Sequence, residues 1–306
     1  VITSPNFRHY EQLKEIAKLR QLPILLEKPA CTSLEQVHEL AAFSKYYSAP
    51  LWVAMEYRYM PPIAKLTQEV HSQRNTGPVT LISIREHRFP FLKKVGDWNR
   101  FNQYTGGTLV EKCCHFFDLM RHLTQSNPTR IYASASTAHN HLDEKYPEGT
   151  PNILDNAYVI VDFESGQRAL LELCMFAEGA RYQEEISVVG PLAKVECFVP
   201  GPGRFWPKNL GAPPTPLIVL SPREPKGPME LEVPVDSIAL AAGDHNGSTY
   251  YQHQKFNEVI RNNSKVEVTL TDGLAAVMMG LAAQESATTG QAINLQNGSF
   301  SMHSIQ

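Results

Sequence analysis

Near the N-terminus, apolar residues alternate between short solid runs and stretches spaced three or four apart. Tyr10, Leu13 and Ala17, with the aliphatic stem of Arg20, mark one face of a helix that follows the strand end and turn Val1-Ile2-Thr3-Ser4-Pro5-Asn6. Pro23-Ile24-Leu25-Leu26 reads as a buried strand closed by Glu27-Lys28-Pro29, and Leu51-Trp52-Val53-Ala54-Met55 as another. Between them, Ser33 and Gln36 form a capping box for a helix that turns Leu34, Val37, Leu40 and Ala41 inward. Strands separated by helices require crossovers, so residues 1–62 predict part of a parallel α/β sheet.

After Pro61-Pro62 the period changes from helical to two. Val79 to Arg85 and Ile131 to Ser136 predict strands. Ala157 to Phe163 and Gln167 to Met175 flank the hairpin signal Glu164-Ser165-Gly166, and Glu185 to Val189 and Ala193 to Phe198 flank Gly190-Pro191. A single helix is expected from Gly106 to Leu123, and two more over Ser248 to Arg261 and Asp272 to Ser286. Residues 63–306 therefore predict an α+β domain with a mostly antiparallel open sheet. Between Pro200 and Pro234 lie ten of the chain's 22 prolines, so this stretch is expected to be an irregular surface excursion.

Composition narrows the class. The chain has 306 residues, 42% hydrophobic and 19% charged, and a formal charge of -3, so it offers no field for gathering nucleic acid or anionic lipid. No apolar run is long enough to cross a bilayer. Five cysteines fit free thiols in a reducing compartment, and the expected location is the cytoplasm.

Candidate chemistry concentrates on the helix after Gly106-Gly107. Leu109, Cys113, Phe116, Met120 and Leu123 form an apolar stripe, and Glu111, His115, Asp118 and His122 form a polar one about 200° away. A solvated face is the ordinary meaning of such a polar stripe. Here the glycine pair allows close backbone approach, and a histidine one turn from a carboxylate that raises its pKa can move protons near neutral pH. Cys113-Cys114-His115 does not make a metal site, because adjacent helical side chains diverge by about 100°. His139 and His141 read as solvated loop residues. Lys28 stands at the carboxyl end of a parallel strand, where open α/β sheets bind ligands. No Gly-x-Gly-x-x-Gly turn, phosphate-binding loop or nucleophile elbow occurs.

Taken in order, these segments resemble the Gfo/Idh/MocA family of nicotinamide-dependent oxidoreductases. Thr3-Ser4-Pro5-Asn6 with His9 is similar to the family's segment after the fourth strand of the nucleotide domain, Glu27-Lys28-Pro29 to its Glu-Lys-Pro motif, and Glu56 to Pro61 to the strand leading out of that domain. Gly106-Gly107 through Asp118 resembles its glycine-led helix, with Glu111 where inositol dehydrogenases carry Asp. The resemblance implies NAD or NADP as cofactor, bound by Thr3, Ser4, Pro5, Asn6, His9, Glu27, Lys28 and Pro29. It implies Lys28, His115 and Glu111 as catalytic residues, Asp118, His87, Tyr182 and Arg100 as substrate-binding ones, and no metal. Trp98 is a further candidate for closing the pocket. The implied reaction moves a hydride between the nicotinamide and a secondary alcohol of a polyol or sugar, and the open sheet face implies a homo-oligomer.

Val1 falls at the end of what reads as the fourth strand, so the chain is expected to be an N-terminally truncated piece of a longer dehydrogenase, inactive alone. The alternative is a naturally shortened protein that binds a sugar or a protein partner without redox activity.

Overall fold

The structure is a computed structural model and describes residues 1–241 and 243–306. Three parallel extended segments form its N-terminal layer. β1 (Ile24–Leu26) pairs with β2 (Leu51–Val53) on one side and bridges Ile2 on the other. Every residue of β1 and β2 is buried, as expected of strands covered on both faces. Helix α1 (Asn6–Leu19) follows the first segment, and α2 (Leu34–Ser44) joins β1 to β2, its first turn capped by the Ser33 hydroxyl, which accepts from the Gln36 amide at 3.3 Å.

Pro61 and Pro62 open helix α3 (Pro61–Ser72), where a missing N–H costs nothing. A nine-stranded mixed sheet follows, made of β3 (Leu81–His87), β4 (Pro128–Ser136), β5 (Asn156–Phe163), β6 (Arg168–Cys174), β7 (Glu184–Val189), β8 (Ala193–Val199), β9 (Leu217–Pro222), β10 (Met229–Glu232) and β11 (Ile293–Asn294). Its order is β10-β9-β8-β7-β3-β6-β5-β4-β11, antiparallel throughout except where β3 pairs with β6. One face is buried and the other open, so burial alternates along each central strand.

Two expectations need correction. The proline-rich stretch is not irregular throughout, because it contributes β9 and β10 to the sheet edge. Its prolines sit at strand ends (Pro216, Pro222) and in the connecting turn (Pro225, Pro228), leaving residues 217–221 free to pair with β8. The single helix expected from Gly106 to Leu123 is two pieces, α5 (Thr108–Glu111) and α6 (Cys114–Thr124), and a short α4 (Asn102–Thr105) precedes it. Gly106 (φ 78) and Gly107 (φ 93) take left-handed backbone conformations that end α4, and a Cβ on Gly106 would lie 3.0 Å from the Thr32 carbonyl.

After α7 (Ser237–Ala241) and α8 (Ser248–Asn262), the long helix α9 (Leu270–Thr289) closes the fold behind a capping box of Thr269 and Asp272. It packs on β4 and α6 and also on α2 and β2, so one hydrophobic core runs across the boundary expected from the sequence at residues 62/63. A Cβ on Gly280 would stand 2.6 Å from the Leu109 carbonyl oxygen, which places α9 in direct contact with the α5 backbone. Among the described residues no helix is long and apolar enough to cross a membrane.

Candidate active site

The turn after Ile2 and the residues after β1 meet at the carboxyl end of the parallel layer. The His9 ring sits between the carbonyl oxygens of Ser4 and Pro29, 2.8 Å from each, and ties the two loops together. Thr3, Ser4, Pro5, Asn6, His9, Glu27 and Lys28 line one wall of a cleft of about 500 Å³, with Lys94, Val95, Trp98 and Glu111 opposite. Pro29 is the one residue of the expected cofactor set outside this wall; it is buried behind it.

Lys28 Nζ donates to the backbone carbonyl of Glu111 at 3.0 Å, joining the strand end to α5. Burial pulls its pKa down, but Cys114, Glu111, Glu27 and Glu56 more than offset this, so it stays a cation. Burial pushes the Glu111 carboxyl up to about 7, against the pull of Lys28 and Lys94. Among the described residues, two buried polar atoms on cleft residues have no partner, Glu111 Oε2 and Asn6 Nδ2. An unmet acceptor and an unmet donor in one cleft suit a ligand that carries both kinds of group.

His115 lies inside this layer, stacked on Tyr57 with ring centroids 4.1 Å apart and 9° between planes. The expectation that a carboxylate raises its pKa is reversed. Burial holds it well below 6.5, and the positive charges of Lys28 and Lys112 add to the effect. The break between α5 and α6 removes the regular one-turn spacing to Glu111 on which that expectation rested, and among the described residues His115 Nδ1 is buried without a partner. Beneath Tyr57 is a set of buried charges. Lys112 Nζ donates to the Tyr57 hydroxyl at 2.5 Å and pairs with Glu86 at 2.8 Å, and the Tyr57 hydroxyl donates to Glu184 at 3.2 Å.

Residues 72–295 match the family described as the C-terminal alpha/beta domain of the Gfo/Idh/MocA oxidoreductases, well over half of the chain. The chain belongs to the Gfo/Idh/MocA oxidoreductase family. It is 23% identical over 304 residues to the uncharacterised oxidoreductase YrbE of Bacillus subtilis, covering 97% of this chain and 77% of that protein. Among solved structures, an aldose-aldose oxidoreductase from Caulobacter crescentus complexed with glycerol superposes with a TM-score of 0.71 at 18% identity, over 96% of this chain and 78% of that one. An oxidoreductase from Agrobacterium radiobacter in complex with NAD+, L-tartaric acid and magnesium gives 0.73 at 15% identity, over 96% and 78%. At these identities the structural likeness shows the fold. The alignments do not establish the N-terminal truncation expected from the sequence.

In this Gfo/Idh/MocA chain the four expected substrate residues do not reach the cleft. Asp118 is gripped by Arg58, Nε to Oδ2 at 2.6 Å and a terminal nitrogen to Oδ1 at 2.5 Å, in a pair almost closed to solvent. His87 ends β3 and its Nε2 lies 3.0 Å from Glu172 on the sheet. Tyr182 packs on Phe198 with centroids 5.2 Å apart. Arg100 turns away to Glu144 at 2.7 Å, which also receives His141 at 2.9 Å, so His141 is not a solvated loop residue. Trp98 does line the cleft.

Other members of the buried set carry a readable signal that was missed. Glu86 occupies the inward phase of β3 after Ile82 and Ile84, and Glu184 shares the inward phase of β7 with Ile186 and Val188. A carboxylate where alternation demands an apolar residue is a buried charge that needs a partner. Glu56, buried with its carboxyl pushed up to about 7, and His245, 5.2 Å from Tyr57 by ring centroids, complete the cluster.

Proposed function

We propose that the chain is an NAD(P)-dependent dehydrogenase that moves a hydride between the nicotinamide and a secondary alcohol of a polyol or sugar. The observation that carries this reading is the Lys28 and Glu111 arrangement, a cation and a carboxyl of pKa about 7 facing one cleft at the carboxyl edge of a parallel sheet. The cleft has room for a nicotinamide and its ribose, and unpartnered Asn6 Nδ2 is a donor for a carboxamide or ribose oxygen. These residues fit the nicotinamide end of the cofactor, with Thr3, Ser4, Pro5, His9 and Glu27 forming the wall and Pro29 fixing it from behind. When bound, the cofactor supplies the hydride acceptor.

Lys28 stabilises negative charge on the substrate oxygen as the alcohol loses its proton. Glu111, ionised above about 7, accepts that proton through its free Oε2 while the hydride leaves the same carbon, so the products are ketone, reduced cofactor and protonated Glu111. His115, held neutral by burial and stacked on Tyr57, has the lower proton affinity and takes no proton from Glu111.

The chain, supplied with NAD+, NADP+ or nicotinamide mononucleotide and a panel of polyols and aldoses, is expected to form reduced nicotinamide. Lys28→Ala should lower turnover at least about 100-fold. Turnover unchanged by Lys28→Ala would remove the site assignment, and no reduction with any alcohol by the folded chain would remove the activity. On the outward sheet face Tyr132, Tyr158 and Ile160 are exposed, and the same reading takes this face as the contact with a second copy; a monomer by analytical ultracentrifugation would refute it.

A further inference from the structure

The cleft holds one charged group that hydride transfer does not use. Lys94 lines the wall opposite Asn6 and His9, and its ammonium has no hydrogen-bond or ion-pair partner among the described residues. Its neighbours in charge are engaged, Lys28 with the Glu111 carbonyl at 3.0 Å and Lys93 with Asp97 at 3.5 Å. Lys94 is exposed where Lys28 is partly buried, so it stands nearer the mouth. A turn sets its position: the Lys94 carbonyl accepts from the Asp97 amide at 3.0 Å, with Gly96 at φ 70 and Asp97 at φ 54. The segment is anchored by buried Asn99 and Arg100, which donate to the carbonyls of Leu92 at 2.9 Å and Phe91 at 3.2 Å. Trp98 then docks the turn on α1, its ring edge-on to Phe7 with centroids 6.3 Å apart.

The facing wall also favours negative charge. Helix α1 starts at Asn6 behind Pro5 with no side-chain cap and no acidic residue in its first turn, which leaves the positive end of its dipole uncompensated. Asn6 is 7% exposed, and its Nδ2 is a donor without a partner among the described residues. Glu27, the acidic residue of that wall, accepts from the Lys28 amide at 3.3 Å. A free cation on one wall, with an uncapped helix start and an unmet donor on the other, suits an anion carried by the ligand.

We propose that Lys94, with the first turn of α1, binds the phosphate on the nicotinamide side of the cofactor, so that the chain selects a nicotinamide nucleotide over the phosphate-free nucleoside. A nicotinamide held beside Lys28 and Glu111 carries its phosphate on the far side of the ribose, toward the mouth, where Lys94 stands. Asn6 Nδ2 has two hydrogens and can meet a ribose oxygen and a phosphate oxygen together. The proposal rests on the cofactor reading of the cleft and extends it by naming the anion subsite and a residue outside the set that the sequence indicates.

Nicotinamide mononucleotide and nicotinamide riboside differ only in the phosphate, and saturation-transfer NMR reads the binding of each without turnover, with the phosphorus resonance of the mononucleotide reporting the phosphate itself. The wild-type chain is expected to bind the mononucleotide about five- to tenfold more tightly, as for one charge-assisted hydrogen bond at a partly exposed site, and the preference should shrink with added salt. Lys94→Met should remove most of the preference and leave the riboside affinity unchanged, and Lys94→Arg, which keeps the charge, should retain it. Equal binding of the two ligands by wild type, a preference that survives in Lys94→Met, equal losses of both ligands in Lys94→Met, or no binding of the mononucleotide would each overturn the proposal. A loss confined to a sugar acid such as D-gluconate would assign Lys94 to the substrate and overturn it as well. Selective mononucleotide binding without hydride transfer from any alcohol would refute the dehydrogenase reading and leave the phosphate site standing; hydride transfer to mononucleotide and riboside alike, indifferent to Lys94, would do the reverse.

Discussion

Replacing Arg58 with leucine separates two meanings of Asp118, a carboxylate that binds substrate and one that holds the fold. The Asp118 side chain is 1% exposed and that of Arg58 9%, and two contacts of 2.6 and 2.5 Å engage both carboxylate oxygens. Removing one partner of such a pair strands the other charge in a poor solvent and costs about 3–5 kcal/mol, a large fraction of a domain's stability. The loss should depend on pH with a defined sign. Burial already raises the Asp118 carboxyl above its ordinary value of 3.8 despite Arg58, so the folded chain holds that proton more tightly than the unfolded one. Without Arg58 the folded-state pKa rises further. The deficit of Arg58→Leu should therefore be full above that raised pKa and shrink as pH falls toward the unfolded value of about 3.9. Urea denaturation at several pH values measures it. Arg58→Leu/Asp118→Leu should recover most of the loss, because paired removal leaves no stranded charge. A loss below about 1 kcal/mol, or a double variant no better than the single, would show that Asp118 is not locked and return it to the substrate-binding candidates.

Four further outcomes follow from the same geometry. Alcohol oxidation should rise with pH through an inflection near 7 as Glu111 ionises, and Glu111→Gln should flatten the profile; a flat wild-type profile would exclude Glu111 as proton acceptor. Gly280→Ala places a methyl 2.6 Å from the Leu109 carbonyl and should cost about 1–3 kcal/mol in denaturant melts, with an unchanged midpoint excluding this close helix contact. Ser286→Ala removes a hydroxyl that accepts from the Ala133 amide at 2.9 Å and donates to the Gln291 carbonyl at 2.6 Å; the expected loss is about 1–3 kcal/mol, and none at all would mean that water replaces it. Lys112→Met should destabilise the chain by up to about 3–5 kcal/mol, leaving Glu86 beside Glu184 with Arg88 at 3.5 Å as its cation, and Lys112→Met/Glu86→Gln should recover part of that, a cycle measurable by calorimetry.

The parallel layer was legible because its strands are solid apolar runs with buried partners on both faces, and the sheet because inward and outward positions alternate. The chemistry was legible only where a backbone feature is local, as with Lys28 following a three-residue strand. Glu111, His115 and Asp118 were placed on one stripe by assuming an unbroken helix. The break after Glu111 takes Glu111 out of register with α6, so Glu111 faces the cleft while on α6 His115 stacks on Tyr57 and Asp118 meets Arg58. Burial, with the charges of Lys28 and Lys112, keeps His115 neutral where a carboxylate one turn away would have held it charged, and the Glu111 carboxyl keeps an oxygen with no partner among the described residues. Long-range partners such as Glu86, Glu184 and His245 come from separate elements and no spacing rule brings them together. What the sequence does carry is the mismatch of a charged residue at an inward strand position, and in this chain two such mismatches, on β3 and β7, mark the buried charge cluster around Tyr57 and Lys112.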